Sequence, residues 1–232
     1  SDIEVSPDGR YVIALGKATN SIAIFTRDLN TGALTAKESF LTTDLSTLQS
    51  PSAMEFPIDG RNLYIASEST NKLLILSRSF DTTAADDHDF TSVEILQDDI
   101  TDGLSGVKDL VWDPAGNFLY TAEANDGAIG IFLRTLSTGE LSFQDKVSSS
   151  DLAMVSSLAI SPDGSYLYAS SQTSLLTFER HHQTGLLTLI STLRLGKELP
   201  TSAGSLDKIR LSAAGYELYA IGSNDHLLSF TR

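Results

Sequence analysis

The sequence predicts an all-β fold, a β-propeller built of four-stranded antiparallel blades. Three observations predict it. Five glycine-closed turns recur at nearly constant spacing, apolar residues alternate with period two on both sides of each turn, and no helical pattern of useful length appears. The glycines are Gly9, Gly60, Gly116, Gly164 and Gly215, separated by 51, 56, 48 and 51 residues. They close the turns Ser6-Pro7-Asp8-Gly9, Pro57-Ile58-Asp59-Gly60, Asp113-Pro114-Ala115-Gly116, Ser161-Pro162-Asp163-Gly164 and Ser212-Ala213-Ala214-Gly215. Proline presets φ in such a turn, aspartate hydrogen-bonds the local backbone and glycine accepts positive φ.

The strands follow in order. Before each turn stand apolar pairs at two fixed offsets: Ile3/Val5, Met54/Phe56, Leu110/Trp112, Leu158/Ile160 and Ile209/Leu211. Trp112 shares its offset with four aliphatic or aromatic residues, so it belongs to the core. After each turn comes a second strand, such as Leu63-Tyr64-Ile65-Ala66 or Leu119-Tyr120-Thr121-Ala122, rich in the β-branched and aromatic residues strands favour. A third strand follows, as in Ile22-Ala23-Ile24-Phe25, and two residues beyond it stands Arg27, Arg78, Arg134, Arg180 or Arg232. A guanidinium fork at that repeated place ties a strand end to nearby carbonyls or carboxylates. In three copies a Thr-Gly turn opens a fourth strand, at Thr31-Gly32, Thr138-Gly139 and Thr184-Gly185. A thin four-stranded sheet cannot cover both its faces, so successive sheets stack around an axis and cover one another.

Five copies make either a five-bladed propeller or part of a larger one, for example with seven blades. Residues 1–232 read as a single domain with repeats near 1–50, 51–105, 106–153, 154–205 and 206–232. The chain opens inside a repeat without an initiator methionine, and reads as a piece of something longer.

Composition narrows the function classes. The net charge of −14, from 30 acidic and 16 basic residues, disfavours nucleic acid, whose phosphates are bound by lysine and arginine. It favours cationic ligands or partners. The absence of cysteine excludes disulfides, zinc–thiolate sites and thiol nucleophiles. No apolar run approaches the length of a membrane span, so no membrane insertion is expected.

The four histidines, His88, His181, His182 and His226, fall on different blades and loops and form no catalytic pair. Acidic loop residues make the better binding candidates. Asp44, Asp99, Asp102, Asp151 and Glu198 lie on loops that enter the innermost strands, where they can rim one mouth of the channel and hold a cation. Glu68 and Glu123 end the second strands of blades two and three, where other copies carry mostly small residues; they join the binding candidates at the channel mouth, with solvated structural roles as the alternative. No cofactor is expected; calcium is the one ion such a rim could take, although Asp98-Asp99-Ile100-Thr101-Asp102-Gly103 resembles a calcium loop only in composition. On the innermost strands Glu4, Glu55 and Arg210 share one offset, and Asp2, Asp109 and Lys208 another. Glu4 and Arg210 become neighbours if blade five approaches blade one.

The wording Ser6-Pro7-Asp8-Gly9-Arg10-Tyr11-Val12, then Ser21-Ile22-Ala23-Ile24-Phe25, Arg27-Asp28 and Thr31-Gly32-Ala33-Leu34, resembles the YVTN and lactonase-like propeller family. Copies three and four repeat it from Asp113 to Leu141 and from Ser161 to Leu187. The resemblance implies a propeller, typically seven-bladed in the enzymes, and active sites of His, Arg and Glu around the central channel. No histidine lies on the innermost strands here. The expected function is therefore a non-catalytic binding or scaffold module of a larger exported or cell-surface bacterial protein, hence extracytoplasmic, with the cytoplasm the other compartment the composition allows. The alternatives are a lactonase-like enzyme acting on a sugar or muconate lactone, and a calcium-stabilised adhesin module.

Overall fold

The computed structural model describes residues 2–37, 48–78, 90–98 and 103–231. Its 19 strands form five antiparallel sheets, each ordered from the axis outward. Blade 1 comprises β1 (Asp2–Val5), β2 (Tyr11–Gly16), β3 (Ser21–Arg27) and β4 (Leu34–Ala36). Blade 2 comprises β5 (Pro51–Glu55), β6 (Asn62–Ser67), β7 (Lys72–Arg78) and β8 (Phe90–Gln97). Blade 3 comprises β9 (Val107–Trp112), β10 (Phe118–Glu123), β11 (Ala128–Arg134) and β12 (Leu141–Ser148). Blade 4 comprises β13 (Ser157–Ile160), β14 (Tyr166–Ser170), β15 (Ser174–Arg180) and β16 (Leu187–Arg194). Blade 5 has three strands among the described residues, β17 (Leu206–Leu211), β18 (Glu217–Gly222) and β19 (His226–Thr231). Among the described residues no helix is long and apolar enough to cross a membrane.

The five turn glycines occupy matching corners. Each has φ between 63° and 73°, and each N–H donates to the carbonyl of the first turn residue at 2.7–2.9 Å. Three of them also stack on the proline of the preceding blade's turn. A Cβ on Gly60, Gly116 or Gly164 would meet Pro7, Pro57 or Pro114 at 3.1–3.3 Å. These positions need glycine both for the left-handed backbone and for the close approach.

Blades cover one another through their apolar faces. Met54 packs with Tyr11 and Ile13 of blade 1, Leu110 with Tyr64 and Ala66 of blade 2, and Leu158 with Tyr120 and Ile131 of blade 3. Trp112 lies in this core, edge-on to Tyr64 at 4.8 Å between ring centres. Tyr64 Oη donates to the Gly139 carbonyl and Tyr120 Oη to the Gly185 carbonyl, so the Thr-Gly hairpins of blades 3 and 4 are each tied to the blade before. The offset of Met54 faces the preceding blade. In blade 1 that face meets no other blade among the described residues, and Ile3 is 67 % exposed. On blade 5 Ile221 and Leu227 face outward, 52 % and 68 % exposed. Blades 1 and 5 thus leave each other's apolar faces uncovered.

The repeated arginines form the second set of ties. Arg78 pairs with Asp8 at 2.6 Å, Arg134 with Asp59 at 3.0 Å and Arg180 with Asp113 at 3.0 Å. Each carboxylate belongs to the hairpin turn of the preceding blade. Blade 3 carries its aspartate at the first turn position rather than the third, yet the next blade's arginine still reaches it.

Candidate functional site

The innermost strands bring charges from four blades onto the axis. Asp2 and Glu4 come from β1, Glu55 from β5, Asp109 from β9, and Lys208 and Arg210 from β17. Period two puts the acidic and basic side chains of one strand on the same side. Between the two layers they form, the intervening residues Met54, Leu110, Leu158 and Ile209 turn into the blade interfaces. A charge placed on this strand therefore either faces the axis or sits unpaired in the core.

Glu4 and Glu55 are half-buried and act on each other. Burial, followed by the Asp2 carboxylate, pushes the Glu4 carboxyl up from the usual 4.5 to about 7, against the opposing pull of Arg210 and Lys208. Burial also holds Glu55 well above the carboxylate range, and the charges of Glu4, Asp109 and Asp2 add to it. Arg210 acts on Glu4 across space; no ion pair within 4 Å joins them among the described residues, and its Nη1 donates to the Ile209 carbonyl at 3.1 Å. Two neighbouring carboxyls that resist simultaneous ionisation, beside two cations, can hold and move a proton near neutral pH.

The loop carboxylates are placed differently. Asp44, Asp99 and Asp102 lie outside the described residues. Asp151, on a short 3-10 turn at Ser150–Leu152, receives Arg194 Nε at 2.9 Å, and Glu198 accepts the Arg194 N–H at 3.0 Å. Glu68 bridges blades 1 and 3 through Lys17 at 2.7 Å and Lys108 at 3.5 Å. Partial burial raises its carboxyl, but the Lys17 hydrogen bond and both lysine charges outweigh this and hold it below the usual value. Among the described residues no group of three or more His, Asp or Glu side chains converges as a metal site would.

Glu123 corrects the solvated reading of its position. It is fully buried, its carboxyl oxygens meet no hydrogen-bond donor at ordinary geometry, and Lys146 Nζ stands 3.9 Å away. Burial raises it to about 7, against the pull of Lys146. The Glu123 side chain fits because Gly130 on β11 leaves room; a Cβ there would sit 3.0 Å from Glu123 Oε1. The unfolded chain ionises this group near 4.5 and the folded protein near 7, so its contribution to stability is present at acid pH and is lost as pH rises from about 4.5 to about 7. Glu123→Gln is therefore expected to be more stable than the parent at pH 8, by up to about 3 kcal/mol, and equal to it near pH 4. Urea unfolding at the two pH values checks this; equal midpoints at pH 8 refute it.

Comparison with known proteins agrees with the geometry. The family model described as "Lactonase, 7-bladed beta-propeller" matches residues 1–93 and 50–202. The 6-phosphogluconolactonase of Bacillus subtilis is 27 % identical over 187 residues, covering 80 % of this chain and 51 % of that protein. The chain thus spans about half the length of the curated relative it matches. A Bacteroides uniformis structure provisionally named a 6-phosphogluconolactonase superposes with TM-score 0.78 at 18 % identity, over 99 % of this chain and 65 % of the other. The periplasmic gluconolactonase of Pseudomonas aeruginosa does so with TM-score 0.74, at the same identity and coverage. These findings overturn the expectation of a non-catalytic scaffold module. That expectation leaned on the missing channel histidine, and so missed the carboxyl pair whose chemistry depends on depth. The match over most of the chain places this protein in the lactonase family, whose model is that of a seven-bladed β-propeller.

Proposed function

We propose that the axial cluster of this chain serves the hydrolysis of a sugar lactone, with a phosphorylated aldonolactone as the substrate. The observation that carries this is the Glu4–Glu55 pair, two mutually opposed carboxyls held above the usual range beside Lys208 and Arg210. With the lactonase activity for which the relatives are named, it favours the lactone reading over the adhesin. We also read the repeat as the YVTN type, on the Pro-Asp-Gly turn and the Tyr-rich second strands.

The roles divide by ionisation. Glu4, ionised above about pH 7, takes a proton from water as the water oxygen attacks the lactone carbonyl carbon. Negative charge develops on the carbonyl oxygen, and Arg210 is the cation best placed to meet it. Collapse of the tetrahedral intermediate breaks the bond to the ring oxygen. Glu55, whose carboxyl burial and the Glu4, Asp109 and Asp2 charges hold well above the usual range, donates a proton to that oxygen, which leaves as a hydroxyl. Lactone and water give one hydroxy acid, and Lys208 is left to receive an anionic substituent.

Titration of acid release from gluconolactone and its 6-phosphate checks the proposal. The protein is expected to raise the rate above spontaneous hydrolysis, more for the phosphorylated substrate. A rate equal to the buffer blank with both lactones refutes it.

A further inference from the structure

Residues at the offset of Asp109 tie three of the innermost strands to the next. Asp2 Oδ2 accepts the Met54 N–H at 3.2 Å, Asp109 Oδ2 the Leu158 N–H at 2.9 Å, and Ser157 Oγ the Ile209 N–H at 3.3 Å. These are the same bond, blade n to blade n+1, made by three different residues. In blade 2 the position holds Ala53, which has no acceptor in its side chain. A hydroxyl is therefore enough for the structural task, as Ser157 demonstrates.

Asp109 has more than that task needs. It is 4 % exposed, and Ser157 Oγ donates to the same Oδ2 at 2.7 Å. Its other oxygen, Oδ1, accepts from Lys208 Nζ at 3.1 Å. Lys208 stands on blade 5, two blades away, and its side chain is 37 % exposed. Of the axial charged residues, Lys208 has the most freely rotating stem, with four methylenes to order. The bond from Asp109 holds that stem across the axis, and the two donors on Oδ2 hold Asp109 itself.

We infer that Asp109 is a positioning residue, with Ser157 behind it, that fixes the Lys208 ammonium at the axis where it receives the anionic part of the substrate. The inference rests on the lactonase reading. It assigns Asp109 no contact with the reacting atoms. Its charge also adds to the raised carboxyls of Glu4 and Glu55, but its effect on substrate binding passes through Lys208.

A double-mutant cycle tests this. Asp109→Asn keeps an oxygen for the Leu158 N–H but carries no charge for Lys208. Asp109→Ser copies the residue blade 4 uses and guards against a folding defect specific to the amide. With 6-phosphogluconolactone, each variant is expected to raise KM roughly tenfold with kcat nearly unchanged, as a lost charged hydrogen bond implies. Lys208→Met is expected to do the same, and Asp109→Asn/Lys208→Met to be no worse than Lys208→Met alone. With the unphosphorylated lactone the Asp109 variants are expected to keep the parent KM, so that the KM rise is confined to the phosphorylated substrate. Additive effects in the double variant, or an equal loss on both lactones, overturn the role of Asp109 while leaving the lactonase reading intact. Failure of the parent protein to hydrolyse either lactone overturns the lactonase reading itself, and with it this assignment.

Discussion

Arg180→Ala is expected to destabilise the protein by about 3–5 kcal/mol, the cost of leaving one member of a buried ion pair without the other. The Arg180 side chain is 2 % exposed and its fork is fully used. Nη2 bonds Asp113 at 3.0 Å, Nη1 the Gly164 carbonyl at 3.1 Å, and Nε the Tyr120 hydroxyl at 2.6 Å. The guanidinium also lies over the Phe118 and Tyr120 rings, 5.4 and 5.9 Å from their centres. Alanine removes all of these and strands the Asp113 carboxylate, which is 5 % exposed. The result is set against a total stability of about 5–15 kcal/mol for a typical domain. Arg194→Ala is the control. Arg194 also pairs with an aspartate, Asp151, but its side chain is 45 % exposed. Exposed pairs contribute about 0–1 kcal/mol. Chemical denaturation of the two variants side by side decides the matter; similar midpoints would show that burial of the Arg180 pair carries no energy. Combining Arg180→Met with Asp113→Asn is expected to recover part of the loss, because no charge is then left alone in the interface.

The second large effect concerns activity. Glu4→Gln is expected to lower kcat for lactone hydrolysis by about 10²–10⁴-fold, the range for loss of a general base. The parent rate is expected to rise with pH through about 7 as Glu4 ionises, because only the carboxylate accepts a proton from water. Glutamine abolishes that limb rather than shifting it. Glu55→Gln behaves differently. Glu55 works in its protonated form, so the variant loses the acid that serves the ring oxygen. Residual activity in Glu55→Gln is expected to keep the Glu4 limb near pH 7, because Glu55 is uncharged in its acid role and glutamine is uncharged too, while burial and the Asp2 carboxylate set the Glu4 value. Initial rates from pH 5 to 9, corrected for spontaneous opening, give both profiles. A Glu4→Gln enzyme with parental kcat at pH 8 would remove Glu4 from the chemistry.

Much of the architecture could be read from spacing alone. Gly9, Gly60, Gly116, Gly164 and Gly215 announce the blades because a left-handed turn position tolerates little else, so the residue type survives while surrounding side chains drift. Arg78, Arg134 and Arg180 were readable as ties, since five arginines at one offset imply one geometry; that each reaches back to the preceding blade's turn was not readable, because it depends on how blades stack. The candidate site was half legible. The shared offsets of Glu4, Glu55, Arg210, Asp109 and Lys208 placed them in two layers, yet nothing in the spacing tells how far each layer lies from water or from the opposite blade. Attention to the loops instead drew out Asp151 and Glu198, which meet at Arg194, and Glu68, which is held between two lysines.

Local chemistry settles what each segment of this chain becomes. Turn glycines, period-two apolar positions and strand propensities act over a few residues, so the sequence by itself determined the blades, their order and the side of each strand that bears charge. Ionisation is not local. The proton affinity of Glu4, Glu55 and Glu123 depends on burial and on charges brought from other strands, for Glu4 and Glu55 from other blades, and for Glu123 on the room left by one glycine on the neighbouring strand. Only the tertiary structure decided which acidic residues stay ordinary carboxylates and which hold a proton at neutral pH, because the energy of a charge depends on everything around it and not on its neighbours in sequence.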